Sequence, residues 1–138
     1  MEKNVITIKA NINAPVETIW KAWTTPEDIM QWNSASDDWH TPHAENDLKP
    51  GGKFMSRMAA KDGSMAFDFG GTYDDVKTDE LISYTMDDGR HVEITFEDYN
   101  TNVLVTVKFE AEDVNSLELQ RMGWQAILDN FKKYVESK

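Results

Sequence analysis

Residues 115–138 read NSLELQRMGWQAILDNFKKYVESK and are predicted to form one long helix that starts near Asn115 or Ser116. Apolar side chains recur there at three- and four-residue intervals, which places them on one face of a helix. They are Trp124, Ile127, Leu128, Phe131, Tyr134 and Val135. A helix with one apolar face needs another layer of the protein to cover that face.

The residues before this helix supply such a layer, because apolar and polar side chains alternate as they do in half-buried strands. Short links of the hairpin type at 61–64, 87–89 and 99–102 join consecutive runs, which predicts an antiparallel meander. The members that share the inner face are Ile6, Ile8, Ala10 and Ile12; Phe54, Ser56 and Met58; Phe67, Phe69, Gly71 and Tyr73; Ile82, Tyr84 and Met86; Val92, Ile94 and Phe96; and Val103, Val105, Val107 and Phe109.

Two short helices are predicted between the first strand and the remaining strands. Pro15 is suited to a helix start, and an apolar stripe at helical spacing follows it up to Trp23. Thr25 and Pro26 then mark a second start. From Asn33 to Leu48 we find no clear periodicity and predict a loop. The order predicts an α+β fold in which a curved antiparallel sheet wraps around the long C-terminal helix.

Composition limits the classes of function. The chain has 138 residues, predicted to form a single domain over 1–138, with no cysteine and a formal net charge of −11. An acidic chain lacks the basic surface that nucleic acids require, and it is also disfavoured on anionic membranes. Neither an apolar signal segment nor a stretch of 18 apolar residues occurs, so we expect no membrane insertion and a cytoplasmic location.

The inner face of the predicted sheet carries the functional interpretation. On the strands its members are apolar or aromatic, Ser56, Tyr73 and Tyr84 supply its hydroxyls, and no charged residue is predicted there. Such a surface suits a small apolar ligand that a few hydroxyl groups orient. A solid core is the alternative. The candidate ligand-binding residues are Trp23, Trp32, Phe54, Met58, Phe67, Phe69, Tyr73, Tyr84, Met86, Phe96, Met122, Trp124 and Leu128.

Gly123 interrupts the apolar helix and admits two interpretations. A helical glycine costs about 1 kcal/mol relative to alanine, so its presence favours a local reason. Close packing of the helix on the sheet is one reason. Space for a ligand or a crossing strand beside Trp124 is the other.

Catalytic and metal sites have little support in the sequence. His40 and His43 lie near Asp37 and Asp38, but we interpret this segment as a solvated loop and predict no metal site, no catalytic residue and no cofactor. Residues 50–53 read PGGK, which lacks the spacing of a phosphate-binding loop and predicts a turn. A binding module is therefore favoured over an enzyme.

The chain resembles a known family in four stretches. They are residues 13–24 (NAPVETIWKAWT), 26–32 (PEDIMQW), 47–54 (DLKPGGKF) and 123–131 (GWQAILDNF). In their order and content they resemble the START-like, or SRPBCC, superfamily, and within it the group named after the activator of heat-shock-protein-90 ATPase. Lys49 departs from the arginine that the family often has there.

The resemblance implies a helix-grip fold with a cavity between the sheet and the long helix. It also implies binding of small apolar or lipid-like molecules. Some members of the superfamily are cyclases or hydrolases, and the group's name implies a chaperone partner. These two functions are the alternatives to a binding module.

Overall fold

The computed structural model of the protein describes residues 4–34 and 36–137. Seven strands and three helices occur in these residues. In chain order they are β1 (Val5–Ile12), α1 (Val16–Thr24), α2 (Pro26–Trp32), β2 (Trp39–Asn46), β3 (Lys53–Ala60), β4 (Ala66–Lys77), β5 (Leu81–Met86), β6 (His91–Asp98), β7 (Val103–Glu110) and α3 (Leu117–Glu136).

The strands form one antiparallel sheet in the order β1-β7-β6-β5-β4-β3-β2. From β2 to β7 each strand pairs with the next along the chain, and β1 closes the far edge on β7, from Val5 opposite Glu110 to Ile12 opposite Val103. A register shift between Tyr73 and Asp75 interrupts the pairing of β4 with β5, and such bulges increase local bending. The sheet curls around α3, so the predicted α+β helix-grip architecture is confirmed.

Strand β2 corrects the sequence analysis, which predicted a loop across this segment. Only Thr41 and Ala44 are buried in it, and a register shift lies between His40 and His43. Pro42 lies within the shifted segment and lacks an N–H for a sheet hydrogen bond. The irregularity removes the period-two alternation by which strands are recognised, although β2 pairs with β3 over most of its length.

The two short helices meet at Thr25 as predicted. Its backbone N–H donates to the carbonyl of Lys21 at 2.9 Å to end α1, and its own carbonyl accepts from Ile29 at the start of α2. Pro26 occupies the first turn of α2, where a missing N–H is tolerated. The indole Nε1 of Trp32 in α2 donates a hydrogen bond to the carbonyl of Ala22 in α1 at 2.9 Å, which links the two helices.

Helix α3 begins at the cap residue Ser116, whose Oγ accepts a hydrogen bond from the Leu119 N–H at 3.1 Å. Its buried side chains Leu128, Phe131 and Val135 enter the core, and the helix packs against β1. No helix in the described part of the chain is long and apolar enough to cross a bilayer.

Candidate functional site

A cavity of about 310 Å³ lies between the curved sheet and α3. Most of the predicted ligand-binding residues line it, and they come from α1, α2, α3 and the strands β3, β4 and β5. These are Trp23, Trp32, Phe54, Met58, Phe67, Phe69, Tyr73, Tyr84, Trp124 and Leu128. This open space favours the interpretation of the inner face as a cavity wall over the alternative of a solid core.

Three of the predicted ligand-binding residues do not line this cavity. Met122 is 61% exposed, because two residues along a helix rotate a side chain by about 200° away from the face of Trp124. Met86 and Phe96 point to the inner side of the sheet as expected but are buried in the core and do not line the cavity. Phe96 packs edge to face against Trp20, with ring centroids 5.4 Å apart.

Aromatic rings form much of the cavity wall. The Phe54 ring meets Tyr84 edge to face, with centroids 4.6 Å apart, and Phe69 lies 6.0 Å from Trp124 in a similar arrangement. Trp124 in turn stacks on Phe109 at 3.9 Å with the planes 8° apart. These mutual contacts hold the rings in place and leave apolar surfaces directed at the open space.

Glycine in β4 makes part of this arrangement possible. A side-chain carbon at Gly71 would lie 3.1 Å from Cε1 of Phe54 and 2.5 Å from the carbonyl oxygen of Thr85. The Phe54 ring therefore packs against Gly71, where a side chain would not fit. Gly123 differs, since a carbon added there would meet nothing within 4 Å. α3 packs on the sheet on either side of this point, but close helix–sheet packing does not require a glycine at position 123.

Phe67 belongs to the exposed edge of the cavity. It is 48% exposed and packs against Trp39, with ring centroids 5.9 Å apart. Because Trp39 belongs to the strand that the sequence analysis missed, this contact was not predicted.

The two tyrosines of the cavity differ in their hydrogen bonding. The Tyr73 hydroxyl donates to Oδ1 of Asn46 at 2.5 Å, and the Asn46 amide donates to the carbonyl of Thr24 at 2.6 Å. The Tyr84 hydroxyl makes no hydrogen bond to the residues that the structure describes. Burial raises the pKa of both hydroxyls well above the ordinary tyrosine value, so both are neutral at pH 7.

Arg90 lines the cavity although no charged residue was predicted on the inner face. It immediately precedes β6 and shares the inner parity of Val92, Ile94 and Phe96, so extending that alternation backward by two residues would have found it. The predicted inner-face members begin at Val92 and the predicted hairpin link ends at Gly89, so Arg90 belongs to neither prediction.

Glu45 is a second charged residue at the cavity. It lies on edge strand β2 opposite Met55, its side chain is largely exposed, and its carboxylate is 3.4 Å from Nε2 of His43. Among residues 4–34 and 36–137, no group of three His, Cys, Asp or Glu side chains could hold a metal ion.

Comparison with known proteins places the chain among relatives of the same architecture. The family model described as activator of Hsp90 ATPase homolog 1-like protein matches residues 13–136. No curated protein sequence matches the chain.

Solved structures of bacterial proteins agree closely in fold. An AHSA1-like protein from Aeromonas hydrophila is 46% identical, with a TM-score of 0.92 over 97% of this chain and 93% of that one. A protein from Cytophaga hutchinsonii is 52% identical, with a TM-score of 0.83 over 96% and 92% of the two chains. A protein from Chromobacterium violaceum is 23% identical, with a TM-score of 0.84 over 96% and 97%, and is similar in fold.

Proposed function

The chain belongs to the family of activator of Hsp90 ATPase homolog 1-like proteins, and we propose that it binds a small apolar, ring-containing molecule between its sheet and α3. The observation that carries the proposal is the aromatic-lined cavity of about 310 Å³. Binding pockets for small molecules are typically concave and mostly apolar, with few polar groups.

The size of the cavity limits the ligand. Its 310 Å³ lies at the lower end of the range of about 300–1,000 Å³ that is typical of small-molecule pockets. This lower end of the range favours a molecule with two fused rings or a medium-length hydrocarbon chain over a larger molecule such as a sterol. Flat rings also match the edge-to-face surfaces that Phe54, Phe69 and Trp124 present.

The chemistry of the wall favours binding over turnover. General acid–base catalysis is most efficient when a group has a pKa near the working pH. Burial moves the pKa of Tyr73 and Tyr84 upward, away from that range. The Arg90 guanidinium is a cation with N–H donors and no acceptor, so it suits binding of an anion rather than the role of a general base.

Thermal unfolding against a panel of fatty acids, sterols, flavonoids and fused-ring aromatics tests the proposal. A ligand at 100 times its Kd stabilises the folded state by about 2.7 kcal/mol, which raises the Tm of a domain of this size by several degrees. We expect such a shift for compounds of two or three rings and a smaller one, or none, for sterols.

Two matched variants test whether the ligand binds in this cavity. Ile127→Trp places a larger side chain at the cavity wall, while Leu119→Trp adds the same ring at an exposed position of the same helix. The Tm shift should be lost in the first variant and retained in the second. Absence of any shift, or a shift that survives unchanged in folded Ile127→Trp, contradicts the proposal.

A further inference from the structure

Arg90 is held at the end of the β5–β6 hairpin by the geometry of the turn. Gly89 has a positive φ of 94°, and its N–H donates to the carbonyl of Met86 at 2.8 Å. The Met86 N–H donates to the carbonyl of Arg90 at 2.7 Å, which closes the three-residue loop. This turn puts Arg90 in register with the inner face of the sheet.

The Arg90 guanidinium makes hydrogen bonds that use only some of its N–H donors. Its Nε donates to Oδ2 of Asp88 at 2.8 Å, and Nη1 lies 3.4 Å from the carbonyl oxygen of Glu110. Nη2 makes no hydrogen bond to a described residue. Arginine carries five N–H donors in a planar fork, so donors remain while the side chain is only 22% exposed.

Tyr84 lies beside this guanidinium. Tyr84 pairs with Val92 across β5 and β6, and Arg90 precedes Val92 by two residues on the same face, so the two are diagonal neighbours within reach of long side chains. The charge of Arg90 lowers the pKa of Tyr84, against the larger effect of burial. Its hydroxyl is a donor without a partner among the described residues, beside a cation with unused donors.

The acidic groups nearby do not occupy these donors. The Asp88 carboxylate engages Nε and is more than half exposed, and Oε1 of Glu110 accepts from the His91 N–H at 2.6 Å. A purely apolar ligand would exclude water from Arg90 and Tyr84 without replacing the hydrogen bonds that water makes to them. This loss would weaken binding. An acceptor on the ligand removes that cost, and an anionic acceptor also compensates the charge.

We propose that Arg90 and Tyr84 form an anion-recognising end of the cavity, and that the ligand is an apolar ring compound bearing a carboxylate. The inference rests on the proposed function and specifies the chemical class of its ligand. The rings occupy the aromatic walls, while the carboxylate accepts hydrogen bonds from the free side of the guanidinium and from the Tyr84 hydroxyl.

Two compounds of nearly equal shape test this inference at pH 7. 2-Naphthoate carries a carboxylate and 2-naphthamide a neutral amide on the same ring system, and titration calorimetry gives both Kd values. Both compounds offer an oxygen that can accept a hydrogen bond from Arg90, but only the carboxylate also compensates its charge, so wild-type protein should prefer naphthoate by about tenfold.

Variants identify the groups responsible. Arg90→Gln should remove the preference while leaving the Kd of the amide within about threefold, and Tyr84→Phe should reduce it in part. Arg57→Gln is the matched control, because Arg57 lies on an outer position paired with Asp68 at 3.0 Å and should leave the preference unchanged. If Arg90→Gln does not fold, Arg90→Lys keeps the charge, loses the fork and should weaken the preference.

The outcomes separate the two proposals. A wild-type protein that binds ring compounds of the panel but does not prefer naphthoate overturns the anion site and leaves cavity binding intact. A preference that survives in Arg90→Gln overturns it equally. Failure of every panel compound and of both naphthalenes overturns the proposed function and this inference with it.

Discussion

The inner side of the sheet contains two aromatic regions that pack in different ways. The tryptophan cluster comprises Trp20, Trp23, Trp32, Phe96 and Phe131. The cavity aromatics are Phe54, Phe69, Tyr73, Tyr84 and Trp124. Trp23 and Trp32 mark the boundary, since they contact Phe131 on one side and line the cavity on the other.

The difference follows from how many elements cover each region. Phe131 of α3 is fully buried, with ring centroids 4.8 Å from Trp23 and 4.7 Å from Trp32, because α1, α2 and α3 meet there. Over β3–β5 the rings are as close to one another, with Phe54 4.6 Å from Tyr84, but the cavity of about 310 Å³ remains open beside them. The rings of the tryptophan cluster therefore fill the core, whereas the cavity aromatics surround an open space.

Truncation of one ring in each region gives the largest expected contrast. Phe131→Ala should reduce the free energy of unfolding by about 3–5 kcal/mol, since it removes a fully buried ring from a close-packed site. Phe69→Ala should cost less than half as much, because Phe69 is partly exposed and already borders open space. Denaturant unfolding measures both.

Phe67→Ala is the control for that pair, as Phe67 is a phenylalanine at the exposed edge of the same cavity. It should cost less than either of the others. Equal losses for Phe131→Ala and Phe69→Ala would mean that the two regions are equally well packed, and the comparison would fail.

Gly71→Ala tests whether the cavity wall is rigid beside the open space. Its side-chain carbon would lie 2.5 Å from the Thr85 carbonyl oxygen, and backbone cannot move aside as a flexible side chain does. Overpacking of this kind costs about 1–3 kcal/mol, and we expect a loss of that size in denaturant unfolding. Unchanged stability would show that β4 and β5 can separate and that the wall is adaptable.

Sequence periodicity was sufficient to predict most of the fold. Alternation placed Phe54, Phe69, Tyr73 and Tyr84 on one face correctly, because an inward-facing residue in a regular strand must be followed by an outward-facing one. The helical stripe likewise placed Trp124 and Leu128 at the cavity. Periodicity does not reveal a strand where the backbone is irregular, as at the register shift of β2.

The features of the site that escaped prediction depend on more than parity. Met86 and Phe96 have the correct parity, yet neighbouring residues bury them, and only three-dimensional packing decides which inner residues border the cavity. The hydrogen bond from Tyr73 to Asn46 joins β4 to an unpredicted strand. Arg90 has the correct parity but lies between the predicted link at 87–89 and the predicted strand.

The two cavity tyrosines give a smaller and more specific contrast. Tyr73→Phe deletes the hydroxyl that bonds Asn46 and leaves that amide oxygen without this donor, so it should cost about 1 kcal/mol. Tyr84→Phe deletes a hydroxyl that makes no hydrogen bond to the described residues, and its effect on stability should lie within about 0.5 kcal/mol of zero. A loss for Tyr84→Phe equal to that for Tyr73→Phe would contradict the assignment of Tyr84 to ligand binding.

Both tyrosines also predict a dependence of stability on alkaline pH. Their pKa values are raised by burial in the folded state, so the unfolded chain releases these protons first. Their contribution to stability is complete below about pH 10, the unfolded tyrosine pKa, and declines as the pH rises above it. Denaturant unfolding between pH 8 and 11 should show this decline, and it should be shallower in Tyr84→Phe. An unchanged slope in that variant would argue against a buried Tyr84 hydroxyl.

Gly123→Ala should produce the smallest change, and in the opposite direction. An alanine side chain there would meet nothing within 4 Å, so no packing penalty opposes its higher helix propensity. We expect a gain of about 0.5–1 kcal/mol in the free energy of unfolding, measured by denaturant unfolding beside Gly71→Ala. A gain at Gly123 with a loss at Gly71 would show that β4 and β5 are close-packed at Gly71, while α3 has room for a side chain at position 123. A loss at Gly123 would instead contradict the open surroundings of this position.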